Sequence, residues 1–97
     1  LPTYEWVARF ANDFDSLSPD KQAAFLVVVS QFVEDLRAGK GFRKGLRVNG
    51  VKGAAGIFEM TWADDGRATF EYREGVREGE AHILWRRVGT HSIFDQP

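Results

Sequence analysis

The sequence predicts an α+β domain in which an N-terminal strand and two helices pack on a twisted antiparallel sheet. Three observations carry that prediction. A capped segment at 18–38 repeats apolar residues at helical spacing, the segments 57–63 and 67–73 alternate apolar with polar residues and a third strand follows at 81–88, and a glycine-rich basic stretch joins the two halves. At 97 residues the chain holds one domain, 1–97, with a single modest core.

The elements follow in order. Thr3 to Ala8 is short and β-prone, an edge strand. Phe10, Phe14 and Leu17 recur at i, i+4 and i+7, which predicts a first helix over 9–17. In the second helix Ser18 caps, Pro19 suits the first position, and Asp20 complements the dipole. Phe25, Val28, Val29, Phe32, Val33 and Leu36 then repeat, and Gly39 offers a left-handed stop. The centre of this helix, Phe25 to Val29, is apolar nearly all round, which predicts packing on two sides, against the sheet and against helix 1 or a partner. Residues 39–56 carry six of the ten glycines and read as turns, with one short strand at Leu46-Arg47-Val48.

Phe58, Met60 and Trp62 share one face of the next strand, and Ala68, Phe70 and Tyr72 share one face of its successor. A three-residue loop at Asp64-Asp65-Gly66 would align these faces, pairing Ala63 with Arg67, Trp62 with Ala68, Met60 with Phe70 and Phe58 with Tyr72. That register predicts Gly66 as a left-handed bulge residue, sets Thr61 opposite Thr69, and sets Glu59 opposite Glu71. Glu59 is then expected to pair with Arg73, Arg86 or Arg87. Glu74 to Glu80 reads as a polar loop. The strand over 81–88 puts Ile83 and Trp85 on one face and His82, Leu84 and Val88 on the other, with Arg86 and Arg87 on opposite faces. The tail from Gly89 reads as a turn and a last short segment.

Composition narrows the chemistry. There are eight Phe, three Trp and two Tyr, too many for a disordered chain. Cysteine is absent, which excludes disulfides and thiolate metal sites and fits a reducing, cytoplasmic location. No apolar run reaches the length of a membrane span, and the first residues lack the pattern of a signal peptide. The first residue is not methionine, as in a trimmed chain. With only His82 and His91 and no paired-ligand spacing, no metal and no cofactor is expected. No phosphate-loop signature or nucleophile elbow is present.

The net charge of −1 hides an asymmetry. Residues 1–37 hold three basic against six acidic side chains, whereas Arg37 to Lys52 holds six cations and no acid. Such a run is either a solvated face or an anion-attracting field. Arginine grips phosphate bidentately and stays charged. Metal-free RNA cleavage needs a base for the 2′-hydroxyl, cations for the phosphorane and an acid for the leaving oxygen. His91 can serve either proton transfer, or it can be a tail histidine bonded to backbone.

The pattern of several segments resembles the RelE/ParE superfamily of toxins from type II toxin–antitoxin modules. These are Ser18 to Phe25, Phe32 to Leu36, Gly45 to Val48 with Val51 to Gly53, Gly56 to Met60, Asp65 to Phe70, and Trp85 to His91. The resemblance implies a RelE/ParE-like fold and a toxin held in check by a cognate antitoxin. In the ribonuclease branches it implies a ribosome-dependent mRNA endoribonuclease that inhibits translation, with mRNA on the ribosome as substrate. By position it assigns Arg67 to the scissile phosphate, His91 to the polar residue of the C-terminal segment, and Arg87 or Arg86 to the arginine of the following strand. Lys44, Arg47 and Lys52, with Arg86, match RNA-binding cations. Phe94 stands where many ribonuclease members have tyrosine, and the charge is low for the family. Those two departures point to the alternatives, a non-catalytic gyrase-inhibiting toxin or a protein-interaction module. The apolar helix 2 is the expected antitoxin contact, and Tyr4 and Trp6 are read as core or antitoxin contacts.

Overall fold

The computed structural model describes residues 2–74 and 79–97, so most of the expected 74–80 loop lies outside the described residues. The order is β1 (Thr3–Trp6), α1 (Ala8–Ser16), α2 (Pro19–Ala38), a 3-10 turn (Lys44–Leu46), β2 (Asn49–Gly50), β3 (Phe58–Thr61), β4 (Gly66–Arg73), β5 (His82–Thr90) and a second 3-10 turn (His91–Asp95). One sheet has the spatial order β1-β5-β4-β3-β2.

α2 forms as its caps dictate. Ser18 Oγ accepts from the Lys21 amide, Pro19 opens the helix, and Gly39 closes it at φ 69°. α1 has no side-chain cap at Val7, but Gln22 Nε2 donates to Phe14 O at its far end, tying the two helices together. The sheet-facing side of α2 buries Phe25 and Phe32, and Phe25 also meets Phe14 of α1. The other side is open: Leu26 and Val27 are 55% and 59% exposed.

The sheet is mixed, not wholly antiparallel, because β1 runs parallel to β5. A four-residue strand carries no mark of direction in its pattern, so this pairing was not legible. The connector also departs from expectation. Leu46 turns inward and is buried, which breaks the segment predicted as a strand at 46–48, and the strand begins three residues later as β2.

β3 and β4 pair two residues away from the predicted register. Phe58 faces Phe70, Glu59 faces Thr69, Met60 faces Ala68 and Thr61 faces Arg67. Parity is kept, since a shift of two residues leaves both apolar faces together. The observed register also takes Glu59 away from Glu71, removing the like-charge pair. Instead, Glu71 takes the arginines, pairing with Arg86 and lying 3.6 Å from Arg73. Gly66 is not the left-handed bulge residue. It is glycine because the Trp62 indole lies across it: a Cβ there would sit 2.7 Å from Cδ2 and Cε2 of Trp62. Trp62 Nε1 donates to Arg67 O at 3.0 Å, which fixes the ring in that place. Gly66→Ala should therefore cost about 1–3 kcal/mol by overpacking. A chemical melt with tryptophan fluorescence checks this; an unchanged midpoint would mean that the ring moves freely.

A bulge in β5 explains a second difference. The pairing steps from Thr69–Arg87 to Phe70–Trp85, leaving Arg86 as the extra residue. Alternation is interrupted there, so Val88 joins Ile83 and Trp85 in the core rather than lying opposite them. Around Trp85 the core is aromatic, with Phe10, Phe25, Phe32 and Phe70 rings 5.3–6.0 Å away.

The sheet face away from the helices is covered by the tail. Thr69 Oγ1 and Arg86 Nε both donate to Pro97 O, and Ile93 is buried there. On the same face His82 is 6% exposed, with Nδ1 2.6 Å from Thr3 Oγ1 and Nε2 2.6 Å from Glu5 Oε2. This chain of side chains clamps β1 to β5. No helix among the described residues is long and apolar enough to cross a membrane.

Candidate nucleic-acid interface

At one end of the sheet the β3–β4 turn, the Lys44–Leu46 turn and α2 enclose a cleft of about 490 Å³. Arg43, Arg47 and Arg67 line it, together with Gln31, Trp62 and Asp64. Arg67 enters because β4 begins at Gly66, beneath the Trp62 ring. Its Nη1 donates to the carbonyls of Ala63, Asp64 and Gly66 at 2.8–3.3 Å, so one nitrogen holds the turn. Nε and Nη2 make no hydrogen bond among the described residues. Arg47 follows the 3-10 turn at φ 47°, the one non-glycine residue with positive φ among those described. A β-carbon is strained there.

His91 belongs to the same end. Gly66 pairs with Thr90, which places the start of the tail turn beside the β3–β4 turn. His91 Nδ1 lies 2.5 Å from Asp65 Oδ1, and the ring meets Phe94 edge-on. The bond to His91 holds the Asp65 carboxyl below its usual range. A carboxylate on Nδ1 orients the imidazole and leaves Nε2 for chemistry. Both side chains are exposed.

The remaining expected site residues are placed elsewhere or engaged. Lys44 is exposed on the 3-10 turn, and Lys52 is exposed in the turn between β2 and β3; neither lines the cleft. Arg87 makes a two-pronged ion pair with Asp13 of α1, Nε–Oδ2 at 2.6 Å and Nη2–Oδ1 at 3.2 Å, and Nη1 donates to Gln96 O. Arg86 is bonded to Glu71 and Pro97. The structure therefore unites Arg67 and Arg47, adds His91 through Asp65, and gives both arginines of β5 a packing partner.

Sequence reasoning missed Arg43, Asp64 and Gln31 as cleft residues, and Asp65 as the partner of His91. Asp64-Asp65-Gly66 was legible only as a turn. Arg43 is also the reason why the basic run is less naked than it reads. Its Nε and Nη2 each lie 2.9 Å from the Asp35 carboxylate, its amide donates to the same group, and Glu34 stands 3.5 Å away. The Arg43 side chain, then its amide, holds the Asp35 carboxyl down at about 2. An acid with a lowered folded-state pKa stabilises above its unfolded value, roughly 4, and loses that contribution as pH falls through the folded value. Melting temperatures should accordingly fall between about pH 4 and 2, with a shallower fall in Asp35→Asn. Parallel curves for the two proteins would remove Asp35 from the acid transition.

No protein-family model matches the sequence, and no curated protein does. Solved structures do. YafQ from E. coli superposes with a TM-score of 0.69 at 8% identity, covering 95% of this chain and 96% of that one. The YoeB/ParE toxin from Agrobacterium tumefaciens gives 0.66 at 11% identity, covering 92% and 98%. A chain of the RelBE2 toxin–antitoxin complex from Mycobacterium tuberculosis gives 0.55 at 21% identity, covering 92% and 96%. With two helices on a five-stranded mixed sheet, matched over nearly its whole length, the chain has the RelE/ParE-like toxin fold.

Proposed function

We propose that this protein is the toxin of a toxin–antitoxin pair and that it cleaves mRNA on the ribosome. The observation that carries this reading is the cleft of Arg47 and Arg67 beside the His91–Asp65 pair. Cations there suit a phosphate, and the adjacent histidine suits a proton transfer. In the proposed step the 2′-hydroxyl gives its proton to solvent water as its oxygen attacks phosphorus, and the bond to the 5′-oxygen breaks. A 2′,3′-cyclic phosphate and a 5′-hydroxyl result. Arg67, through Nε and Nη2, and Arg47 offset the charge that develops on the phosphorane. His91 as imidazolium, held at Nδ1 by Asp65, gives its Nε2 proton to the leaving oxygen. The tyrosine expected of many ribonuclease toxins is then not needed at Phe94.

The antitoxin contact is proposed on the apolar groove between β1 and α2, about 420 Å³ and lined by Tyr4, Trp6, Phe14, Leu26 and Val33. Tyr4 and Trp6 stack on one another there and are more than half exposed.

Primer extension on mRNA in a cell-free translation reaction tests the nuclease. The wild type should cut at ribosome-occupied codons, and His91→Gln, confirmed folded by circular dichroism, should cut at least about 100-fold more slowly. Intact mRNA with the wild type would overturn the nuclease reading. Growth arrest without cleavage would then favour the gyrase-inhibiting alternative.

A further inference from the structure

We propose that the cleft between α2 and the β3–β4 turn receives one unpaired guanine of the RNA, read by Asp64 and Gln31. This deepens the nuclease reading and rests on it for the choice of RNA. A site for phosphate alone would be a polar shelf. This one is a concavity of about 490 Å³ walled by Val28, Leu46 and Trp62, a size and character that suit a small planar ring. It also contains a carboxylate among its cations. A carboxylate repels phosphate, so Asp64 weakens a pure anion site. Its side chain makes no hydrogen bond or ion pair among the described residues, whereas Arg43 is held by Asp35 and Arg67 by the turn.

The donor pattern selects the base. Ionised Asp only accepts, and the Gln31 amide can donate. An acceptor pair and a donor lining one cleft complement a base edge with two adjacent donors and one acceptor. Guanine presents that edge through N1–H, N2–H and O6. Uracil places one donor between two acceptors, and cytosine and adenine offer a single exocyclic donor beside an acceptor. Sequence-specific RNA recognition works through such splayed bases and their Watson–Crick edges. The placement is also economical in geometry: Asp64 precedes Asp65, the residue that orients His91. Reading the base and positioning the proton donor thus fall to consecutive residues of one turn.

Fluorescence anisotropy with labelled hexaribonucleotides tests this without requiring cleavage. The probes are UUUGUU, UUUIUU (inosine lacks the 2-amino group), UUUAUU and UUUUUU. Wild-type protein should bind UUUGUU about tenfold or more tightly than the others, since a bidentate base contact is worth that factor. Asp64→Asn should equalise guanine and inosine and leave the melting temperature unchanged, while affinity for UUUUUU holds or rises because the repulsion of phosphate by the carboxylate is gone. Gln31→Leu, on a different element, should lower guanine affinity in the same selective way. Equal binding of guanine and inosine by the wild type, or a guanine preference that survives Asp64→Asn, overturns the proposal. A guanine preference in a protein that leaves mRNA intact supports it and overturns the nuclease reading alone.

Discussion

Phe32→Ala should lower stability by about 4 kcal/mol, a large fraction of what a domain of this size possesses. Phe32 is 1% exposed. Its ring lies 4.9 Å from Phe42, 5.0 Å from Phe70 and 5.3 Å from Trp85. It therefore joins α2 to the centre of the sheet and to the start of the basic connector. Deleting it removes apolar burial and leaves a cavity that Phe70 and Trp85, each held by further rings, cannot fill. Urea unfolding followed by circular dichroism measures the loss. Phe32→Leu, which keeps most of the volume, should retain more than half of the stability that Phe32→Ala removes. A loss under about 1 kcal/mol for Phe32→Ala would mean that the site collapses, and that α2 is held mainly by Phe25.

Arg87→Ala should cost about 3 kcal/mol, because it strips the partner from a largely buried carboxylate. The side chains of Arg87 and Asp13 are 14% and 17% exposed. Asp13 Oδ2 also accepts the Val88 amide at 3.2 Å, so this carboxylate joins α1 to β5 at side chain and backbone together. The expected fall in melting temperature is roughly 12–20 °C. Removing both charges with well-packed apolar residues, Asp13→Leu with Arg87→Met, should recover much of it, since the desolvation cost leaves with the pair. Thermal melts of the wild type, Asp13→Leu, Arg87→Met and the double variant close the cycle. A single variant within a few degrees of the wild type would show that the pair contributes nothing. A test of Arg87→Ala in the proposed cleavage has to be read at a temperature where the variant is folded, because Arg87 is held in a largely buried ion pair.

Much of the fold was legible because local chemistry decides it. Ser18, Pro19 and Gly39 bound α2, and nothing distant contradicts them. Strand parity was legible for the same reason, but two registers satisfied it. The choice between them rests on Trp62 lying over Gly66, a contact that no alternation pattern encodes. The bulge was hidden because Arg86 and Arg87 are both polar and either can be the extra residue. Of the candidate site, Arg67, Arg47 and His91 were visible as residue types. Their partners were not, since Asp65 is 26 positions from His91 and Asp13 is 74 from Arg87. Charge counted along the chain likewise missed Asp35, which lies before the basic run in sequence but beside Arg43 in space.

The clamp of Thr3, His82 and Glu5 bears on the order of assembly. Its members are separated by 77 and 79 residues. During synthesis β1 emerges first, while the strand it must join is made last. Contacts this distant form late, after local helices and hairpins have already closed. Until β5 arrives, Tyr4 and Trp6 have no strand beside them and the apolar side of the two helices lacks its edge. The first strand in the sequence is thus the last to dock, and a nascent chain spends that interval exposed to whatever else is being made nearby.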